Sequence, residues 1–132
     1  MDRIFFTLGC LFAFFGVALG AFAAHFLRSH LDAGLLIVFE TGVRYQIVHA
    51  FALLAVAWAH TRWPGHAVTA SGWLFVAGTV IFSGSLYALS LSGVRALGAI
   101  TPFGGIALLL GWLCLAWAPL SSSASRASRT ES

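Results

Sequence analysis

Lysine is missing from this chain: all seven basic residues among its 132 are arginine. Acids number only four, and charged residues make up 8% of the chain, against roughly 25% in a water-soluble domain. So little charge cannot cover a water-facing surface, which excludes a soluble globular fold. The arginines stand singly, at Arg3, Arg28, Arg44, Arg62, Arg95, Arg126 and Arg129. That scatter lacks the basic stripe of a nucleic-acid-binding protein and fits topology markers at helix ends. Cysteine is as sparse. Cys10 and Cys114 lie inside apolar runs with no Cys or His nearby at ligand spacing, so no metal site is expected from them. Phosphate-binding loops, dinucleotide fingerprints and solenoid repeats are absent as well.

What remains is apolar. Hydrophobic residues make up 60% of the chain, and the mean hydropathy is +0.94. A helix rises about 1.5 Å per residue and a bilayer's hydrocarbon core is about 30 Å thick, so a span takes about 20 apolar residues. Four runs qualify, at residues 4–26, 40–59, 71–91 and 101–120. The first has features of a signal peptide, with Arg3 before it and Ala21-Phe22-Ala23 near its end. Its length favours a retained helix. Residues 27–38 form the first connection, where Arg28 and Asp32 stand four apart and Leu31, Leu35 and Phe39 share a face. A short interfacial helix is expected there. Pro64-Gly65 and Gly93 punctuate the later loops. Residues 121–132, SSSASRASRTES, lack the apolar residues needed to fold and read as a disordered tail. The fold class is therefore all-α: a four-helix transmembrane domain over 1–120, running up-down-up-down.

That topology sorts the polar residues by side. The end of span one, the start of two, the end of three and the start of four share one membrane face. His25, Glu40, Arg44, Tyr45, Gln46, His49, Ser83, Ser85, Tyr87 and Thr101 all belong to that half. His49 lies roughly 13 Å past Glu40 at helical rise, and Ser83 about 12 Å before Leu91, so the two fall at one depth. Trp58, Trp63, Trp73, Trp112 and Trp117 are assigned to the opposite half as an interfacial belt. Arg3, Arg62, Arg126 and Arg129 on one side outnumber Arg28, Arg44 and Arg95 on the other. This favours both termini inside.

Two readings of the polar cluster stay open. In one, Glu40 and Arg44 form an ion pair in the favourable order for a helix, and Gln46 and His49 hydrogen-bond neighbouring helices, with Ser83 or Ser85 as the partner of His49. In the other, His49, Glu40, Arg44 and Tyr87 line a site for a small ligand, a quinone or a proton, because ionisable groups inside a membrane are costly. A b-type haem would need His25 opposite His49. A metal would need a third ligand, and only Glu40 offers one. Neither signal is specific, and no cofactor or metal is expected. The serines lie in helical context without a nucleophile elbow, so no catalytic set is assigned.

Three stretches carry a family resemblance: Gly16-Val17-Ala18-Leu19-Gly20-Ala21-Phe22-Ala23-Ala24-His25, Glu40 to Ala50 (ETGVRYQIVHA), and Phe82-Ser83-Gly84-Ser85-Leu86-Tyr87 continuing to Thr101-Pro102-Phe103-Gly104-Gly105. Together they make residues 4–118 similar to the YgdD/YwdK-type family of small bacterial inner-membrane proteins, known as domain of unknown function 423. The resemblance implies a four-helix protein of the inner membrane and supplies no activity. The expectation is a non-enzymatic accessory or structural membrane protein. Its partners would be the lipid bilayer and either further copies of itself or a larger membrane complex. Gly16 and Gly20, spaced as GxxxG, offer a close contact either to a neighbouring span or to a second subunit.

Overall fold

The structure, a computed structural model, describes residues 1–130, with side chains as far as Ser121. Four long helices account for nearly all of it: α1 (Asp2–His25), α2 (Ala33–Arg62), α3 (His66–Ser92) and α4 (Thr101–Thr130). All four are long and apolar enough to cross a membrane. Short 3₁₀ turns, Leu27–Ser29 and Arg95–Ala99, complete the two connections on the polar side.

The helix ends follow local chemistry. The Asp32 carboxylate accepts from the backbone N–H groups of Gly34 at 2.8 Å and Leu35 at 3.1 Å. This is an N-cap, which satisfies donors that the first helical turn leaves unpaired. It starts α2 at Ala33, seven residues ahead of the expected boundary at Glu40. The separate interfacial helix is thereby replaced by one 3₁₀ turn and an extended α2, and Asp32 is committed to the cap rather than to Arg28. At the far end of α3, Gly93 adopts φ 72°, with its N–H bonded to the Leu89 carbonyl at 2.8 Å. That left-handed C-cap suits glycine. The α4 backbone stays helical through Pro119 to Thr130. Residues 131–132 and the side chains of 122–130 lie outside the described residues, and the tail expected over 121–132 falls largely on them.

Helices pack in chain order: α1 along α2, α2 along α3, and α3 along α4. Among the described residues the outermost two, α1 and α4, do not pack along each other. The helices therefore alternate in direction as expected, with α2 and α3 in the middle. Of the four spans, α2 is the least apolar and the most buried. Inside a bilayer this is the favourable arrangement, since polar side chains must find partners away from lipid.

Two apolar clusters bracket the polar residues. One gathers Phe5, Leu53, Val56, Val68, Phe75 and Leu108 toward the tryptophan-rich half. The other gathers Ala23, Leu27, Phe39 and Val43 near the first connection. Glycine permits a close backbone approach where α4 crosses α3: a methyl on Gly104 would stand 2.8 Å from the Phe82 Cα. Gly16 is buried against Ile47 of α2, so the close contact of the GxxxG goes to the neighbouring span.

Candidate functional site

The polar layer between those clusters is a set of ties from helix to helix. Gln46, buried on α2, reaches both neighbours. Its Nε2 donates to the Phe12 carbonyl of α1 at 2.9 Å, and its Oε1 accepts from the Tyr87 hydroxyl of α3 at 2.8 Å. A buried amide needs such partners. Gly16, one helical turn after Phe12, leaves that carbonyl approachable, because a side chain there would crowd Ile47 and Gln46. Ser83 of α3 donates to the Gly42 carbonyl of α2 at 2.7 Å. Gly42 has no side chain and admits the Tyr87 ring beside it. Ser85 of α3 shares a 2.7 Å hydrogen bond with Thr101 of α4.

His49 makes the remaining tie. Its Nδ1 lies 2.7 Å from the Tyr45 carbonyl. A carbonyl only accepts, so the proton sits on Nδ1. Nε2 is then an acceptor, and the Trp112 indole N–H of α4 donates to it at 3.2 Å. Both ring nitrogens are engaged, and the ring is flanked by Phe75 and Trp112 at centroid distances of 5.5 and 6.0 Å.

Several expectations are corrected. His49 meets neither Ser83 nor Ser85, whose hydroxyls are used elsewhere. Trp112 leaves the proposed belt and joins the polar layer. Its position was within reach of the sequence, since it lies about 16 Å past Thr101 at helical rise, close to the depth assigned to His49. Glu40 and Arg44 are both exposed, and among the described residues no ion pair joins them. Both lie on the outward stripe of α2 with Val48 and Phe51. His25 is exposed at the end of α1. The close contacts of Gly16 with Ile47 and Gly20 with Val43 set the α1–α2 register, which places His25 about 17 Å of helical rise from the level of His49. The two histidines therefore do not face each other across a haem-sized gap. Among the described residues no three His, Cys, Asp or Glu side chains converge as a metal site would require.

Hollows flank the layer among the described residues. A groove of about 370 Å³ between α2 and α4 is lined by Tyr45, His49, Phe82, Ile106, Leu109 and Trp112. A slot of about 220 Å³ lies over Gln46, Thr79, Ser83 and Tyr87. His49 and Tyr87 thus line different hollows, and Glu40 and Arg44 line neither. The Thr79 hydroxyl is buried with no partner among the described residues.

The family model described as "Protein of unknown function (DUF423)" matches residues 19–105. That segment holds every tie except the α1 and Trp112 ends. The chain belongs to the DUF423 family. Curated relatives of this DUF423 protein carry membrane names. The UPF0382 membrane protein YwdK of Bacillus subtilis is 44% identical over 114 residues, covering 86% of this chain and 93% of its own. A UPF0382 membrane protein of Haemophilus influenzae is 44% identical over 123 residues, covering 92% and 98%. The UPF0382 inner membrane protein YgdD of Escherichia coli is 39% identical over 111 residues, covering 84% and 85%. No solved structure matches significantly. DUF423 membership and the four spans agree on a multi-helix membrane protein, and no enzymatic activity is indicated by either.

Proposed function

We propose that this DUF423 protein is a non-enzymatic accessory or structural component of the bacterial inner membrane, with both termini cytoplasmic. Its membrane-embedded segments are about 4–26, 40–59, 71–91 and 101–120. One observation carries the reading: Gln46, His49, Ser83, Ser85 and Tyr87 all spend hydrogen bonds on holding helices together. Chemistry needs polar groups aimed at a reacting molecule, and these are aimed at the bundle. The outward faces of α1 and α4, rich in exposed Phe and Leu, are the surfaces for lipid, for a second copy, or for a larger membrane complex.

Native mass spectrometry of gently extracted protein tests this. Co-purification with a larger subunit, or a defined self-oligomer, supports the accessory role. A bare monomer under every mild extraction counts against it. A second reading has one observation in its favour. The α2–α4 groove offers aromatic walls beside His49, which suits a quinone or similar flat ligand. A retained mass of that class, lost on Ile106→Trp, would move it ahead.

A further inference from the structure

A further hollow lies away from the polar layer, at the opposite membrane face. It measures about 560 Å³, sits between α1 and α2, and is lined by Arg3, Phe6, Thr7, Leu54, Trp58 and Thr61. A second hollow of about 300 Å³ lies on the other flank of α1, and it too is lined by Arg3 and Thr7. Arg3 and Thr7, one helical turn apart, therefore separate two bilayer-facing recesses. We infer that these paired recesses bind an anionic phospholipid, with one acyl chain in each and the phosphate on Arg3.

Charge, shape and depth support that occupant. Arg3 and Arg62 are exposed at this end of α1 and α2. The one acid lining the hollow, Asp2, has its carboxylate 3.5 Å from the Met1 amino group. Among the described residues no ion pair engages Arg3 or Arg62. A guanidinium matches a phosphate with a fork of donors. Trp58 is 60% exposed on the rim, edge-on to Trp63 at 5.3 Å, and tryptophan favours the headgroup level. Below it the walls turn apolar, with Leu54 and Ala57 as the floor. This hollow falls within the ordinary range for a ligand site, about 300–1,000 Å³. The recesses open sideways to the membrane, where a lipid enters without crossing water.

The test equilibrates full-length protein with equal amounts of phosphatidylglycerol and phosphatidylcholine in mixed micelles and counts retained lipids by native mass spectrometry. Wild type should retain phosphatidylglycerol preferentially. Arg3→Gln should cut that preference about fivefold, the effect of one basic side chain at an anionic surface. Asp2→Asn should raise it. Thr7→Trp, which crowds both recesses from an exposed position, should lower retention of both lipids. Arg95→Gln, at the other face, should change nothing. Equal retention of the two lipids by wild type would overturn the inference. So would an Arg3→Gln variant with unaltered preference, or displacement of lipid by a second copy of the chain.

Discussion

Gln46 is the side chain on which three helices depend, and its removal gives the sharpest test of the tie arrangement. Gln46→Leu keeps the volume and deletes two interhelical hydrogen bonds, to the Phe12 carbonyl and from the Tyr87 hydroxyl. Such bonds inside a membrane average about 0.6 kcal/mol and reach about 1.7. Leaving the Tyr87 hydroxyl stranded adds about 1–3 kcal/mol. The expected loss is therefore about 2–4 kcal/mol. Tyr87→Phe removes one bond and leaves the amide its other partner, so about 0.6 kcal/mol is expected. In the double variant no hydroxyl is stranded, and its cost should fall below the sum by about 1.5–3.5 kcal/mol, the coupling that a double-mutant cycle isolates. Steric-trap unfolding in bicelles measures all three. Strict additivity, or a Gln46→Leu variant as stable as wild type, would show that the bonds seen here carry no weight.

Other changes follow from the same geometry. Gly104→Ala puts a methyl against the Phe82 backbone, and overpacking of this kind costs about 1–3 kcal/mol; the same unfolding assay reads it, and Gly84→Ala, with open space around it, should be far milder. His49→Leu strands the Trp112 N–H and should destabilise by about 1–3 kcal/mol, and Trp112→Phe alongside it should recover part of that loss. Thr79→Val deletes a buried hydroxyl with no partner among the described residues, and the variant should be as stable as wild type or more so.

The four spans were readable because apolar length is a one-dimensional property. So was the depth of the polar residues: topology alone brought Gln46, Ser83, Ser85, Tyr87 and Thr101 to one half of the bundle. Azimuth was not readable. Each residue turns about 100° around its helix axis, so depth does not say which neighbour a side chain meets. Glu40 and Arg44 have suitable spacing and depth yet lie on the outward stripe, while Gln46, two residues on, points inward. Two of the partners are backbone carbonyls, at Phe12 and Gly42, and no residue type announces them. Trp112 was misassigned because its type suggested an interface, although its depth argued otherwise. The Asp32 cap was a legible signal that the pattern of Arg28 and Leu31 outweighed.

Packing in chain order has a consequence for biogenesis. Each helix lies mainly against the one made just before it, so most of the packing joins successive segments, with the His49–Trp112 tie from α2 to α4 as an exception. Taken by themselves, α1 and α2 make a hairpin joined by the Gln46–Phe12 bond and sealed at Gly16 against Ile47. Without α3 the Gln46 side-chain Oε1 lacks its partner, and α3 supplies it through the Tyr87 hydroxyl. The growing chain therefore carries its own docking signal for the next segment, and α4 joins last through Thr101, Gly104 and Trp112.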